Sequence, residues 1–162
     1  MEFEIIDNFL PKEEFDSIKE VIFGPRIEWY WNDGIVDQVE KEQGLYYLVH
    51  NIYEKDSPST NLFEKFYPII SRLNPKTLIR AKINNYPQHP KLLEHGMHAD
   101  YPFDHLGAVF SFNTCDGYTK FYNGITIPSI ENRIVLFNSG KLHSSTNTTN
   151  AKRRVNININ YF

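Results

Sequence analysis

Polar and apolar residues alternate most regularly at the end of the chain, where Arg154, Asn156 and Asn158 interleave with Val155, Ile157 and Ile159. A period of two puts the two sets on opposite faces of a strand over residues 153–161. The apolar set already supplies a face to bury, so the row of asparagines headed by Arg154 calls for another explanation than solvent exposure. Residues 2–7 and 44–53 have the β-branched and aromatic content of strands. Further strands are predicted over 76–86, 95–100, 105–113, 118–122 and 132–138, with short turns between them.

Two stretches read instead as helices, 11–22 and 61–73. Pro11 suits a first helical turn, Asp7 or Asn8 offers a cap, and Glu13 and Glu14 favour the positive end of the helix. Ser57-Pro58-Ser59-Thr60 interrupts the pattern before the second helix. Helices first and a run of short strands afterwards predict an α+β, mainly β fold, in which N-terminal helices brace one face of a double-stranded β-helix, or jelly roll.

Composition narrows the class. At 162 residues and 41% hydrophobic, the chain suits one core, so residues 1–162 are expected to form a single domain. It holds no eighteen-residue apolar run and no charged-then-apolar leader, so neither a membrane span nor a secretory signal is expected. A lone Cys115 excludes an internal disulfide framework and fits a reducing, cytoplasmic setting; it reads as a small buried or turn residue. The net charge of −3, with no basic run beyond Lys152-Arg153-Arg154, leaves no electrostatic footprint for nucleic acid. Trp29, Tyr30 and Trp31 form an aromatic cluster that reads as core packing.

Candidate chemistry lies in His98-Ala99-Asp100, His143 and Arg154. Residues i and i+2 of an extended segment share a face, so one segment can present both His98 and Asp100. His143 follows the buried-strand pattern of residues 132–138 and a Ser139-Gly140-Lys141 turn. Two imidazoles and one carboxylate form the facial triad that holds Fe(II) with open positions. Arg154, on the polar face of the last strand, is a fork suited to bidentate carboxylate binding. Arg153 points to the opposite face and is expected at the surface. His89, His95 and His105 read as polar loop residues and His50 as a strand residue with a hydrogen-bond partner. Pro90, Gly96 and Pro102 count against a helical zinc pair of His95 and His98. The loop 87–91 reads as mobile, and segments 24–43 and 87–95 as the seat of substrate choice.

The chain resembles the Fe(II)/2-oxoglutarate-dependent oxygenases, specifically the prolyl-hydroxylase-like branch with its small bacterial and phage forms. The resemblance runs through Ile5-Ile6-Asp7-Asn8-Phe9-Leu10-Pro11, Asn85-Tyr86-Pro87, His98-Ala99-Asp100-Tyr101-Pro102, Phe112-Asn113, Gly117-Tyr118-Thr119 with Phe121, and the segment from His143 through Arg154 to Tyr161-Phe162. It implies that His98, Asp100 and His143 bind iron, that Arg154 pairs with the distal carboxylate of 2-oxoglutarate, and that Tyr86 contacts this co-substrate. Asn156 stands where many relatives have Ser or Thr, and Ser111 where some have Tyr; both are candidate co-substrate contacts. The last strand lacks the second Arg of the nucleic-acid demethylases. The aromatic segment before Asn32 corresponds to a loop that can form a substrate lid in this family.

The implied activity is O2-dependent hydroxylation of a peptidyl side chain, proline among them, an amino acid or a small metabolite, with release of succinate and CO2. The implied protein is a monomer or homodimer acting on a small-molecule or peptidyl substrate. Two other readings remain open: a non-catalytic jelly-roll binding protein with a vestigial site, and a different metal-dependent jelly-roll enzyme that does not use 2-oxoglutarate.

Overall fold

In the computed structural model, which describes residues 3–162, the alternating segment at the chain end is a nine-residue strand flanked on both sides by other strands. Along the chain the elements are β1 (Phe3–Ile6), α1 (Lys12–Phe23), β2 (Tyr30–Asp33), α2 (Gln38–Glu42), β3 (Tyr46–Glu54), β4 (Ser57–Pro58), α3 (Phe63–Leu73), β5 (Leu78–Pro87), β6 (Leu106–Ser111), β7 (Tyr118–Phe121), β8 (Thr126–Pro128), β9 (Arg133–Asn138), β10 (His143–Ser145) and β11 (Arg153–Tyr161). The larger sheet runs β1-β9-β6-β11-β5-β3-β2, with β4 against β3; a smaller sheet runs β10-β7-β8. All of these pairings are antiparallel. The fold is mainly β with few helices. Glu2, at the start of the first predicted strand, lies outside the described residues.

Strand β11 is buried on both faces. Val155, Ile157, Ile159 and Tyr161 join one apolar cluster with Phe15, Ile18 and Ile22 of α1 and Phe66, Ile69 and Ile70 of α3. The helices therefore bury their apolar stripes against one face of the larger sheet. Val109, Val135 and Phe137 of that sheet's opposite side pack with Phe121 and Ile127 of the smaller sheet. What remains between the two sheets is the polar face of β11.

Several expectations are corrected. Residues 95–100 are not a strand: the segment makes one isolated bridge, His98 to His143, and Glu94 just before it bridges Thr146. Its partner β10 is three residues long, too short for a continuous ladder. Pro11 precedes rather than opens α1, and no side chain caps that helix. Asp7 instead binds Arg133 through both carboxylate oxygens, at 2.6 and 2.8 Å.

The Trp29–Trp31 cluster is not core as a whole. Tyr30 and Trp31 lie on the exposed edge strand β2, and the Trp31 ring stacks on Tyr46 at 3.9 Å. The loop read as mobile is strapped down: Gln88 bridges Thr148, His89 N donates to Thr148 O, and the Asn147 side chain bonds Leu93 N and Lys91 O. Elements α2, β8 and β10, of three to five residues, are below the length at which periodicity is visible.

Phe110, fully buried against Phe9, Phe15 and Phe112, joins helix and sheet. Phe110→Ala is expected to lower unfolding stability by about 3–5 kcal/mol, read from the urea midpoint at constant m-value.

Candidate functional site

The backbone joins two of the three candidate ligands directly. His98 N donates to His143 O and His143 N to His98 O, both at 2.9 Å, and Asp100 N donates to Ser139 O at 3.1 Å. His98 and Asp100 thus come from an extended segment pinned to the end of the smaller sheet, and His143 from the first residue of β10. Their donor atoms lie within 4.8 Å of one another. His98 Nε2 is 3.8 Å from Asp100 Oδ1, and His143 Nε2 is 3.9 Å from Asp100 Oδ2.

Each imidazole is oriented through its other nitrogen. Nδ1 of His98 donates to Gly96 O at 3.1 Å, and Nδ1 of His143 to Lys141 O at 2.9 Å. Carbonyls only accept, so the proton sits on Nδ1 and the Nε2 lone pair faces the common point. Burial holds the His143 pKa below the ordinary imidazole value despite nearby Asp100, which favours the neutral, ligating form.

Asp100 is the most heavily bonded of the three. Arg80 Nη2 donates to its Oδ1 at 3.1 Å; Oδ2 accepts from Ser139 Oγ at 2.5 Å, Asn160 Nδ2 at 2.8 Å and Asn158 Nδ2 at 3.1 Å. Burial alone would raise this carboxyl, but Arg80, His143, Ser139 and Asn160 outweigh it and hold the pKa below the usual carboxylate range. Ser139 reaches the carboxylate because residue 107, beneath it on β6, is glycine: a Cβ there would lie 2.5 Å from Ser139 Cβ.

Deeper along β11 lies Arg154, 1% exposed, opposite Tyr86 in the β5 register. Its guanidinium donates to Thr146 O at 2.9 Å and Thr119 Oγ1 at 3.2 Å, both uncharged, and its Nε has no partner among the described residues. A Cβ on Gly117 would come within 2.6 Å of Arg154 Cδ, so glycine there makes room for the arginine stem. Tyr86 faces the Arg154 guanidinium, with its ring centroid 5.7 Å from the central carbon, and stacks on Tyr47 and His95. Burial first, then Tyr47, pushes its phenol up to about 12, so the hydroxyl remains a donor.

Not every candidate residue joins this constellation. Asn156 shares the Arg154 face, but its Oδ1 accepts from Asn84 Nδ2 at 3.1 Å. Ser111, opposite Asn156 on β6, pairs with Ser129 at 3.3 Å. Arg153 is half-buried on the helix side, its guanidinium 4.7 Å from the Phe23 ring centroid.

His95 and His105 lie in loops, as expected, but are not exposed there. Both are buried, His95 against Tyr86 and His105 with Nε2 accepting from Asn160 Nδ2 at 3.1 Å. Sequence reasoning also missed Arg80, Ser139 and Glu40. Buried Glu40 of α2 accepts three backbone N–H bonds, from Ile35, Val36 and Gly96, at 2.9, 2.6 and 2.6 Å. It ties segment 35–42 to the residue whose carbonyl orients His98. Arg80 was legible in principle, since it shares the β5 face of Tyr86. A carboxylate serving backbone amides leaves no sequence signal.

The donor chemistry fits a non-haem Fe(II) ion with a dicarboxylate beside it. Two imidazoles and a carboxylate converge on one point, and a buried guanidinium without a counter-ion among the described residues lies on the adjoining strand face. The architecture is that of Fe(II)/2-oxoglutarate oxygenases of known structure. A prolyl hydroxylase from Trichoplax adhaerens, solved with a hypoxia inducible factor oxygen degradation domain peptide fragment, superposes with a TM-score of 0.65 at 18% identity, over 99% of this chain and 83% of that one. A viral collagen prolyl hydroxylase from Paramecium Bursaria Chlorella virus-1, in its 2-oxoglutarate complex, gives 0.64 at 14% identity, over 99% and 95%. HygX from Streptomyces hygroscopicus, bound to nickel, 2-oxoglutarate and hygromycin B, gives 0.66 at 10%, over 99% and 82%. At such identities the likeness is one of fold. Comparison of the sequence with protein-family models and with curated proteins finds no match.

Two outcomes test this description. Burial first, then Arg154 and His98, pushes the His95 pKa from 6.5 down to about 3. The unfolded state then binds more protons in that window, so stability is fully present above pH 6.5 and lost as pH falls towards 3, by up to about 1.4 kcal/mol per pH unit. Urea midpoints of the metal-free protein from pH 7 to 5 are expected to fall, and to fall less in His95→Gln. Glu40→Ala leaves three half-buried N–H groups without their carboxylate and is expected to cost about 2 kcal/mol, with faster amide hydrogen exchange at Gly96.

Proposed function

We propose that residues 1–162 form a single Fe(II)- and 2-oxoglutarate-dependent oxygenase domain, a double-stranded β-helix braced by α1 and α3, that hydroxylates a small-molecule or peptidyl substrate. The observation that carries this reading is the shared face of β11. Asn158 and Asn160 hold Asp100 there, and the same face ends at a buried Arg154 that has no carboxylate partner among the described residues.

In this reading His98, Asp100 and His143 hold Fe(II), Arg154 grips the distal carboxylate of 2-oxoglutarate, and the Tyr86 hydroxyl donates to the same co-substrate. Asn156 and Ser111 are further candidate co-substrate contacts, each of which would have to leave its present partner, Asn84 or Ser129. Bound Fe(II) and 2-oxoglutarate supply the O2-dependent decarboxylation to succinate and CO2 that is coupled to hydroxylation of a substrate C–H bond. The chain's own part is placement. The Nδ1 bonds aim both imidazoles, burial favours the neutral form of His143, the four donors fix the Asp100 carboxylate plane, and the aromatic wall of Tyr47, Tyr86 and His95 limits water beside the guanidinium.

The test is an anaerobic visible-absorption titration with Fe(II), then 2-oxoglutarate. A weak metal-to-ligand charge-transfer band that requires both additions and disappears in His143→Ala is the expected result. Arg154→Ala should weaken 2-oxoglutarate binding at least thirtyfold, about 2 kcal/mol, the low end for losing one partner of a buried charge pair. A folded protein that gives no band and binds neither ligand would overturn the reading. Turnover that survives Arg154→Ala intact would point to metal chemistry without 2-oxoglutarate.

A further inference from the structure

The face that carries the proposed site holds more positive charge than that site uses. Arg80 and Lys82 of β5 stand opposite Asn160 and Asn158 of β11, and Arg154 stands further along. Asp100 is the carboxylate in contact with this row, through Arg80. Fe(II) and the 2-oxoglutarate dianion cancel each other, so loading the site leaves the excess of cations in place. Arg80 is engaged with Asp100 and Asn160, and Arg154 would be engaged by the co-substrate.

Lys82 is left. It is half-buried, its Nζ donates to Tyr47 Oη at 3.2 Å and sits 5.3 Å from that ring's centroid, and it forms no ion pair among the described residues. Its register partner Asn158 bonds Asp100 directly, which puts Lys82 one strand from the candidate metal point. On its other side is β3, next to the exposed edge strand β2, so Lys82 lies between the triad and the open edge of the sheet. A cation held half out of water without a counter-charge is stabilised by an arriving anion. This local excess runs against a chain whose net charge is −3.

We propose that the substrate carries a carboxylate and that Lys82 binds it, so that the site acts on a free amino or carboxylic acid, or on a chain end, rather than on the interior of a polypeptide. The inference rests on the oxygenase reading above and narrows it to an anionic substrate class.

The experiment uses the anaerobic Fe(II)·2-oxoglutarate protein and follows the change in its charge-transfer band. The probes are the twenty free L-amino acids and short dicarboxylates, the carboxamide of each, and pentapeptides with free or amidated C-termini. At least one free acid is expected to perturb the band with an apparent Kd tenfold or more below that of its amide. Free amino acids and free-ended peptides together separate a small-molecule carboxylate from a chain terminus. In Lys82→Met the acid should bind within about twofold of the amide, while the midpoint for 2-oxoglutarate stays within twofold. Lys82→Arg should restore most of the preference, and matched unfolding midpoints exclude misfolding.

Equal binding of acid and amide by the unaltered protein, or no response to any probe from a protein that does form the band, overturns the proposal while the oxygenase reading stands. Weakened 2-oxoglutarate binding in Lys82→Met also overturns it, by moving the lysine to the co-substrate. No band in the unaltered protein removes the oxygenase reading and this inference with it.

Discussion

A single buried carboxylate organises the interior between the two sheets. Asp100 accepts from Arg80 on β5, Ser139 after β9, and Asn158 and Asn160 on β11, so parts of the chain far apart in sequence meet on two oxygen atoms. An ionised group taken out of water is tolerated only when its lone pairs are filled. Around Asp100 they are filled by groups that must all be in place at once. The polar alternation of β11, the glycine at 107 that lets Ser139 approach, and the paired backbone of His98 and His143 all serve that requirement.

The larger sheet therefore has two faces with different tasks. Towards α1 and α3 it is a dry apolar core that supplies stability. Towards β10-β7-β8 it carries, beside the small apolar cluster of Val109, Val135 and Phe137, amides, hydroxyls and cations, whose burial costs free energy and which leave Asn84 Oδ1, Asn158 Oδ1 and Arg154 Nε without partners among the described residues. Orphaned buried polar atoms on one face, beside a saturated apolar core on the other, lower stability on the face where the proposed site lies.

How much of this was legible in the sequence varied with the physical origin of each feature. Strand β11 was legible because it is long and buried on both faces, one apolar and one polar, so a period of two runs unbroken through it. The grouping of His98, Asp100, His143 and Arg154 was legible because few chemistries need that set of side chains. The regular strand expected at 95–100 was not there: isolated bridges to a three-residue partner can hold an extended segment without making a ladder, and composition does not distinguish the two. Glu40 was invisible because its partners are backbone amides, which every residue has. The aromatic cluster at Trp29–Trp31 misled because hydrophobicity marks an exposed edge strand and a core strand alike. His95 and His105 misled for the converse reason, since a histidine in a loop can still be buried when its ring stacks or bonds inward.

The mutual backbone bond between His98 and His143 has one more consequence. These two hydrogen bonds involve only main-chain atoms, so the frame that brings positions 98 and 143 together does not depend on which side chains stand there. The scaffold and the ligand identities are thus separable. This favours the chain as a host for redesign: under the oxygenase reading, cysteine, carboxylate or non-natural donors exchanged at either position would alter metal preference, with the architecture acting as a fixed jig.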